Sequence, residues 1–362
     1  MSITINPLKW ALLTVTVPFI FTPTEVLAGT FGNYGVRATE ILTELSLNHA
    51  GRSSGSAKEQ VTADYLQGLF QGYGYSVNQQ PFDTTDRQGN QISSQNVVAV
   101  KPGTSGKQII IGAHYDTAPS SATIDRSALQ GTNDNSSSVG LIVELAERFS
   151  MIPTQHTLTF LAFGAEEVGL KGSSYYANNM SSNEIENTIA MLNFDSIVFG
   201  DYMYFHAGLN AADDPALGWV RDQALDIAAD LGIDARTNPG LNEEYPAGTG
   251  CCSDQESFET LVPSIPILVA EATNWEIGDL DGYTQTSNPI VPGGATWHNP
   301  QYDNLTFINT YFPGLIEERT SNYSQIVTTL LSDLTSVPEP SSILGLGVAV
   351  GVASLMIRQK RL

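Results

Sequence analysis

Apolar residues recur along this chain with two different periods. Between Lys58 and Phe70, the positions of Val61, Tyr65, Leu66 and Phe70 match one face of a helix, and Gly72 and Gly74 follow as terminators. Val139, Ile142, Val143, Ala146 and Phe149 mark a second helical face, with Asn135, Ser136 and Ser137 ahead of it to cap the first turn. Short β-rich runs lie at 96–100, 108–111, 157–163, 189–192, 202–205 and 265–269, several of them separated by helical patterns. Such alternation predicts an α/β domain whose central sheet is mixed but mostly parallel, with helices on both faces. No repeat or low-complexity linker interrupts residues 29–336, so one domain is the simplest count.

Sheets of this kind gather working residues beyond the carboxyl ends of their strands. His114 and Asp116 follow the run ending at Ile111, Glu166 and Glu167 follow the run ending at Phe163, and Asp195 follows the run ending near Asn193. The topology therefore predicts that these polar residues converge.

Composition sharpens the picture. With 362 residues, 41% of them hydrophobic and 15% charged, the chain is long enough to bury a large core. Its formal net charge is -22, which argues against nucleic acid or an anionic membrane surface as partner and suits metal ions and cationic or neutral substrates. Of the 38 acidic residues only Glu25 and Glu339 lie in the terminal segments, so the acidity belongs to the body of the chain.

The two ends carry address-like patterns. Residues 1–28, with Lys9, an apolar run at 11–21 and Val26-Leu27-Ala28 ahead of Gly29, are expected to be a signal peptide cleaved after Ala28, which implies export. Residues 337–362 place Pro338-Glu339-Pro340 before an apolar stretch at 343–357 and the basic residues Arg358, Lys360 and Arg361. That order resembles a PEP-CTERM sorting signal, which implies recognition by an exosortase-type enzyme; a plain membrane anchor is the alternative.

Two adjacent carboxylates stand at the mouth of the run 157–163. Successive side chains of an extended segment point in opposite directions, so one of Glu166 and Glu167 is free to bind a metal while the other reaches that metal's water. Taken singly, the polar residues have plainer accounts: His114-Tyr115-Asp116 as a turn, Asp134 as a helix cap, Asp195 as the end of a strand, His298 as a loop histidine. Taken together, they supply two histidines and three carboxylates as ligands, with a further glutamate and aspartate for acid/base and orienting work. That inventory fits a pair of zinc ions about 3.5–4 Å apart with one bridging carboxylate.

Five blocks occur in order: G-A-H-Y-D at 112–116, G-T-N-D-N at 131–135, F-G-A-E-E-x-G-L at 163–170, N-F-D at 193–195 and W-H-N-P-Q-Y-D at 297–303. Together they resemble the secreted di-zinc aminopeptidases of metallopeptidase clan MH, the bacterial leucyl aminopeptidase and aminopeptidase Y type. The likeness runs from about residue 51 to 303. It implies a zinc-exopeptidase-like fold over 29–336 and substrates that are peptides or proteins with a free N-terminus. One zinc ion is then held by His114 and Asp195, the other by Glu167 and His298, with Asp134 bridging, Glu166 as general base and acid, and Asp116 orienting His114. It further implies that Asp303 orients His298 and that the peptide bond after Asp116 is cis.

The block Ser253-Asp254-Gln255-Glu256-Ser257-Phe258 resembles the family's pocket-lining S-D-x-x-x-F but carries Gln255 where a histidine is common. Tyr245, Trp275 and Trp297 are candidates for pocket walls or an oxyanion donor, with burial in the core as the plainer alternative. His49, His156 and His206 lack comparable contexts. The two cysteines, Cys251 and Cys252, are neighbours; consecutive Cα atoms lie about 3.8 Å apart, short of the roughly 4.4–6.8 Å of bonded pairs, so thiols or pairing with another molecule are expected over a vicinal disulfide. The ligand set leaves three competitors open: a carboxypeptidase of the same clan, a glutaminyl cyclase, which works with one zinc, and a surface binding module without activity.

Overall fold

The computed structural model describes residues 32–277, 282 and 284–336. The expected signal peptide and the expected sorting segment at 337–362 lie outside them. No helix among the described residues is long and apolar enough to cross a membrane.

One eight-stranded sheet organises the chain. Its strands are β1 Ser76–Thr85, β2 Gln91–Lys101, β3 Gln108–His114, β4 Thr157–Phe163, β5 Thr188–Phe194, β6 Met203–Ala207, β7 Ala235–Arg236 and β8 Ile267–Glu271, in spatial order β1-β2-β4-β3-β5-β8-β6-β7. The centre, β4-β3-β5-β8, is parallel, while β1 and β2 form an antiparallel hairpin at one edge and β6 runs antiparallel to β8 near the other. The mixed, centrally parallel sheet expected from the sequence is the one found.

Alternation along the central strands explains why helices cover both faces. In β3, Ile109, Ile111 and Ala113 point into the larger core with helices α1 Val36–Asn48, α2 Ala57–Gly72 and α3 Ser138–Phe149, whereas Ile110 points the other way, into a second cluster. That cluster packs the sheet against α4 Lys171–Asn178, through Ala177, and against a later helix, Gln255–Leu261, through Phe258. Phe160 shows the packing of the larger core: its ring lies 6.2 Å from Phe70 and 5.5 Å from Tyr75, and truncating so buried a phenylalanine costs about 3–5 kcal/mol.

Helix α3 is buried almost all round, and the five apolar residues expected on its inner face are all buried. Its polar member, Glu144, accepts the main-chain N–H groups of Gly35 (2.9 Å) and Ala38 (2.8 Å), so a buried carboxylate caps the start of α1. The expected cap by Asn135-Ser136-Ser137 is not made. Ser137 instead donates to the carbonyl of Asn133 at 2.6 Å, because this stretch is a π-type turn, Thr132–Ser137, before α3 begins. In α2, Val61 is 58% exposed, contrary to its expected place on the inner face; the buried stripe is Glu59, Thr62, Ala63, Leu66 and Phe70. Val61 lies one helical step off that stripe.

Candidate metal centre

The site forms where three parallel strands end. His114 is the last residue of β3, Asp195 directly follows β5, and Glu166 and Glu167 lie in the turn after β4. Asp134 comes from the π-type turn ahead of α3, and His298 from an irregular stretch late in the chain. His114 Nε2 stands 3.2 Å from Asp134 Oδ1 and 3.5 Å from Asp195 Oδ2. His298 Nε2 stands 3.2 Å from Asp134 Oδ2 and 2.8 Å from Glu167 Oε2. The five residues thus form two donor groups that share Asp134, one oxygen facing each histidine.

The floor of the site is buried and one side is open. His114, Asp134 and Glu167 are buried, whereas the side chains of Asp195 and His298 are 19% and 45% exposed. The open side is therefore the one at Asp195 and His298.

Several residues hold the two donor groups in place. Asp116 Oδ1 lies 3.6 Å from His114 Nδ1, and the same carboxylate accepts the N–H groups of Glu166 (3.0 Å) and Glu167 (3.3 Å) and the hydroxyl of Ser54 (2.7 Å). Asp116 thereby fixes the main chain at both glutamates and stands beside the imidazole, whose Nδ1 makes no hydrogen bond among the described residues. Asn135 joins the Asp134 turn to the segment after β5, donating to the carbonyl of Phe194 (3.1 Å) and accepting from the N–H of Ser196 (3.1 Å). Asn133 Oδ1 accepts from the N–H groups of Val198 and Phe199, so side-chain amides on both sides of Asp134 tie its turn to the segment after β5.

Arg52 was not singled out by the sequence, although it stands in the block at which the family likeness begins. It is completely buried and donates to the carbonyls of Tyr115 (2.5 Å), Gln130 (2.8 Å) and Gly131 (3.3 Å) and to Ser136 Oγ (2.8 Å). It therefore ties the His114–Asp116 segment to the Asp134 turn. Gly131 permits this approach: its φ is +56°, and a Cβ there would lie 2.4 Å from the Asp134 carbonyl oxygen. Burial lowers the Arg52 guanidinium to about 10, opposed by Asp303, Asp116, Asp134 and Glu167, so it stays cationic at neutral pH beneath an acidic site.

The electrostatics of the site call for a cation. Burial works against charge on His114, yet Glu166, Asp195, Asp116 and Asp134 hold its imidazole well above its usual value. His298 is likewise raised by Glu167 and Asp134 against the cost of burial. Burial raises the carboxyl of Glu166, with Glu167, Asp254 and Asp195 adding to the effect and His114 opposing it. Glu167 Oε1 is buried without a hydrogen-bond partner. Buried nitrogen and carboxylate donors, converging in two groups with an unsatisfied oxygen among them, fit zinc well.

Some expectations change. Asp303 does not orient His298: it accepts the N–H groups of Asn133 (2.6 Å) and Asp134 (3.2 Å) and so clamps the bridging turn. The cis peptide bond among the described residues lies between Asp134 and Asn135 rather than after Asp116, where the chain turns Asp134 towards the histidines and Asn135 towards β5. Trp275 is core, 1% exposed and donating to Glu271 Oε1 at 2.7 Å; Trp297, half-buried beside His298, donates to Ser196 Oγ at 2.8 Å. Cys251 and Cys252 form a vicinal disulfide with Cα atoms 3.7 Å apart, packed with Tyr204, Tyr245 and Trp275. Cys252 has a positive φ of 79°, and its N–H donates to Glu256 Oε1 at 2.6 Å. Gln255, where a histidine was common, accepts from Asn193 Nδ2 at 3.0 Å alongside Ser253. Next to it, burial lifts the Asp254 carboxyl to about 7.

The fold is zinc-exopeptidase-like α/β, and comparison with known proteins agrees. Residues 96–323 match Peptidase family M28. The alkaline phosphatase isozyme conversion protein of Escherichia coli (strain K12) is 36% identical over 299 residues, 78% of this chain and 86% of that protein. Aminopeptidase YwaD of Bacillus subtilis (strain 168) is 33% identical over 159 residues, 42% of this chain and 33% of that protein. Among solved structures, BSAP, a zinc aminopeptidase from Bacillus subtilis, superposes with a TM-score of 0.66 at 16% identity, covering 85% of this chain and 97% of its own. Porphyromonas gingivalis glutaminyl cyclase superposes with a TM-score of 0.63 at 19% identity, covering 83% and 98%. At these identities the structural matches establish the fold, which proteins of both activities share. The chain belongs to peptidase family M28.

Proposed function

We propose that this protein is an exported di-zinc aminopeptidase, with residues 29–336 as the catalytic domain. The observation that carries this reading is the sharing of Asp134 between two donor groups, one with His114 and Asp195, the other with Glu167 and His298. In this assignment the five residues are the ligands. Zinc bound there supplies Lewis acidity, polarising a carbonyl and lowering the pKa of water.

The chain's own residues do the rest. Glu166 takes the proton of the attacking water and returns it to the leaving nitrogen; burial, which raises its proton affinity, suits that exchange. Asp116 keeps Glu166 in place through its main-chain N–H and stands beside the His114 ring. The partly exposed carboxylate of Asp195 adds to the acidity of the open side, which favours approach of a substrate's free amino terminus. The amino-acid pattern of 337–362 supports its handling by an exosortase-type sorting enzyme, and residues 1–28 support export.

The test is a zinc count and a peptide panel on the purified protein. Two zinc ions per chain and release of N-terminal residues are expected. A single zinc ion with loss of ammonia from N-terminal glutamine peptides would replace this reading with a cyclase.

A further inference from the structure

Four of the five proposed ligands are set by the framework, since His114 ends a central strand, Glu167 and Asp195 follow central strands and Asp134 precedes a buried helix. His298 is the exception. It lies in an irregular stretch, its φ of 56° is left-handed for a residue with a side chain, and its side chain is 45% exposed. The carboxylates within ion-pair reach of its ring, among the described residues, are Asp134 and Glu167, both at Nε2, whereas the His114 ring also has Asp116 3.6 Å from its Nδ1. Its main chain is held instead. Arg126 Nε donates to the His298 carbonyl at 2.6 Å, and Arg126 Nη1 donates to the carbonyl of Pro119 at 2.9 Å.

The segment carrying Arg126 is itself braced. The Arg126 N–H donates to Ser120 Oγ (2.8 Å), Lys58 Nζ donates to the carbonyl of Ser127 (3.1 Å), and the Gly51 N–H donates to the carbonyl of Leu129 (2.7 Å). At its other end, Thr117 donates to the carbonyl of Arg52. The guanidinium therefore connects an anchored loop, continuous with His114 and Asp116, to the one ligand the framework does not hold.

We propose that Arg126 is a positioning residue for His298, holding the second metal group through the main chain rather than through the imidazole. This rests on the di-zinc reading. Its charge-assisted bond fixes the carbonyl, and with it the direction in which the ring leaves the backbone.

The experiment is a chelator-competition titration of zinc into the full chain, its Arg126→Met and Arg126→Lys variants, and Glu167→Gln, which identifies the step belonging to the second group. In Arg126→Met that step is expected to weaken about 10- to 100-fold, with the other step and the melting temperature of the metal-free protein unchanged. Arg126→Lys, which keeps a donor on a shorter reach, is expected to fall between. Equal weakening of both steps, or none, in Arg126→Met would overturn the proposal. If that variant melts lower without metal, Arg126→Lys decides, and an unchanged second step there also overturns it. A single zinc step in the unmodified chain would instead count against the di-zinc reading.

Discussion

Asp303 accepts the main-chain N–H of Asp134 at 3.2 Å, fixing from behind a carboxylate that faces both His114 and His298. Because its other oxygen takes the N–H of Asn133, the carboxylate spans two successive peptide units of the turn. Asp303→Ala leaves both buried N–H groups unpaired. Both zinc steps are expected to weaken together, by about 10-fold or more each, in the same chelator titration. Weakening of one step alone would show that Asp303 does not act through Asp134.

The adjacent glutamates are expected to separate cleanly. Glu166→Gln removes the proton-transfer group and none of the five converging donors, so zinc content should hold while turnover falls about 10²–10⁴-fold. Glu167→Gln replaces a carboxylate donor by an amide and should lose zinc from one group only. Metal analysis of the two purified variants checks both, and equal zinc content would reverse or cancel the assignment.

Glu59 gives the protein a pH dependence away from the donor groups. It accepts the hydroxyl of Ser94 and the N–H of Gly55 (2.6 Å each), and burial, reinforced by Asp116, raises its carboxyl from 4.5 to about 8. Between those values the unfolded chain has released this proton and the folded protein keeps it. Stability from this group therefore falls as pH rises across the window and levels off above it. Glu59→Gln can accept from Gly55 and donate to Ser94 without titrating. Melting temperatures of the metal-free protein at about pH 5 and about pH 8 should diverge less in the variant than in the parent. An equal difference in both proteins would contradict the assigned burial of a neutral carboxyl.

Much of this arrangement is legible in the amino-acid pattern, for a definable reason. The runs that became β3, β4 and β5 are apolar on both faces, so their ends are visible, and His114, Glu166, Glu167 and Asp195 stand just beyond them. Asp134 and His298 carry no such periodic marker and are recognisable through the ordered blocks alone. What escaped was the support. Arg52 and Arg126 act on carbonyl oxygens far away in the chain, and Asp303 on distant N–H groups, contacts that leave no trace in hydrophobic spacing. Strand β1 escaped for a different reason: it is a polar edge strand, Ser-Val-Asn-Gln-Gln-Pro-Phe-Asp-Thr-Thr, with Phe82 as its one buried residue. The vicinal disulfide goes with a left-handed residue at Cys252, which spacing between cysteines does not disclose.

The proposed aminopeptidase removes residues from the amino end of peptides. A free α-amine is cationic and basic, matched both to the acidic, partly exposed rim at Asp195 and to the zinc pair the donors are proposed to hold. Acetylation removes the lone pair and the charge without altering the scissile bonds further along. The decisive measurement is mass spectrometry of one peptide digested in unblocked and N-acetylated forms by the zinc-loaded protein. Stepwise shortening of the unblocked peptide from its amino end, with the acetylated form untouched, is the expected result; cleavage of the acetylated form, or shortening from the carboxyl end, would contradict the account.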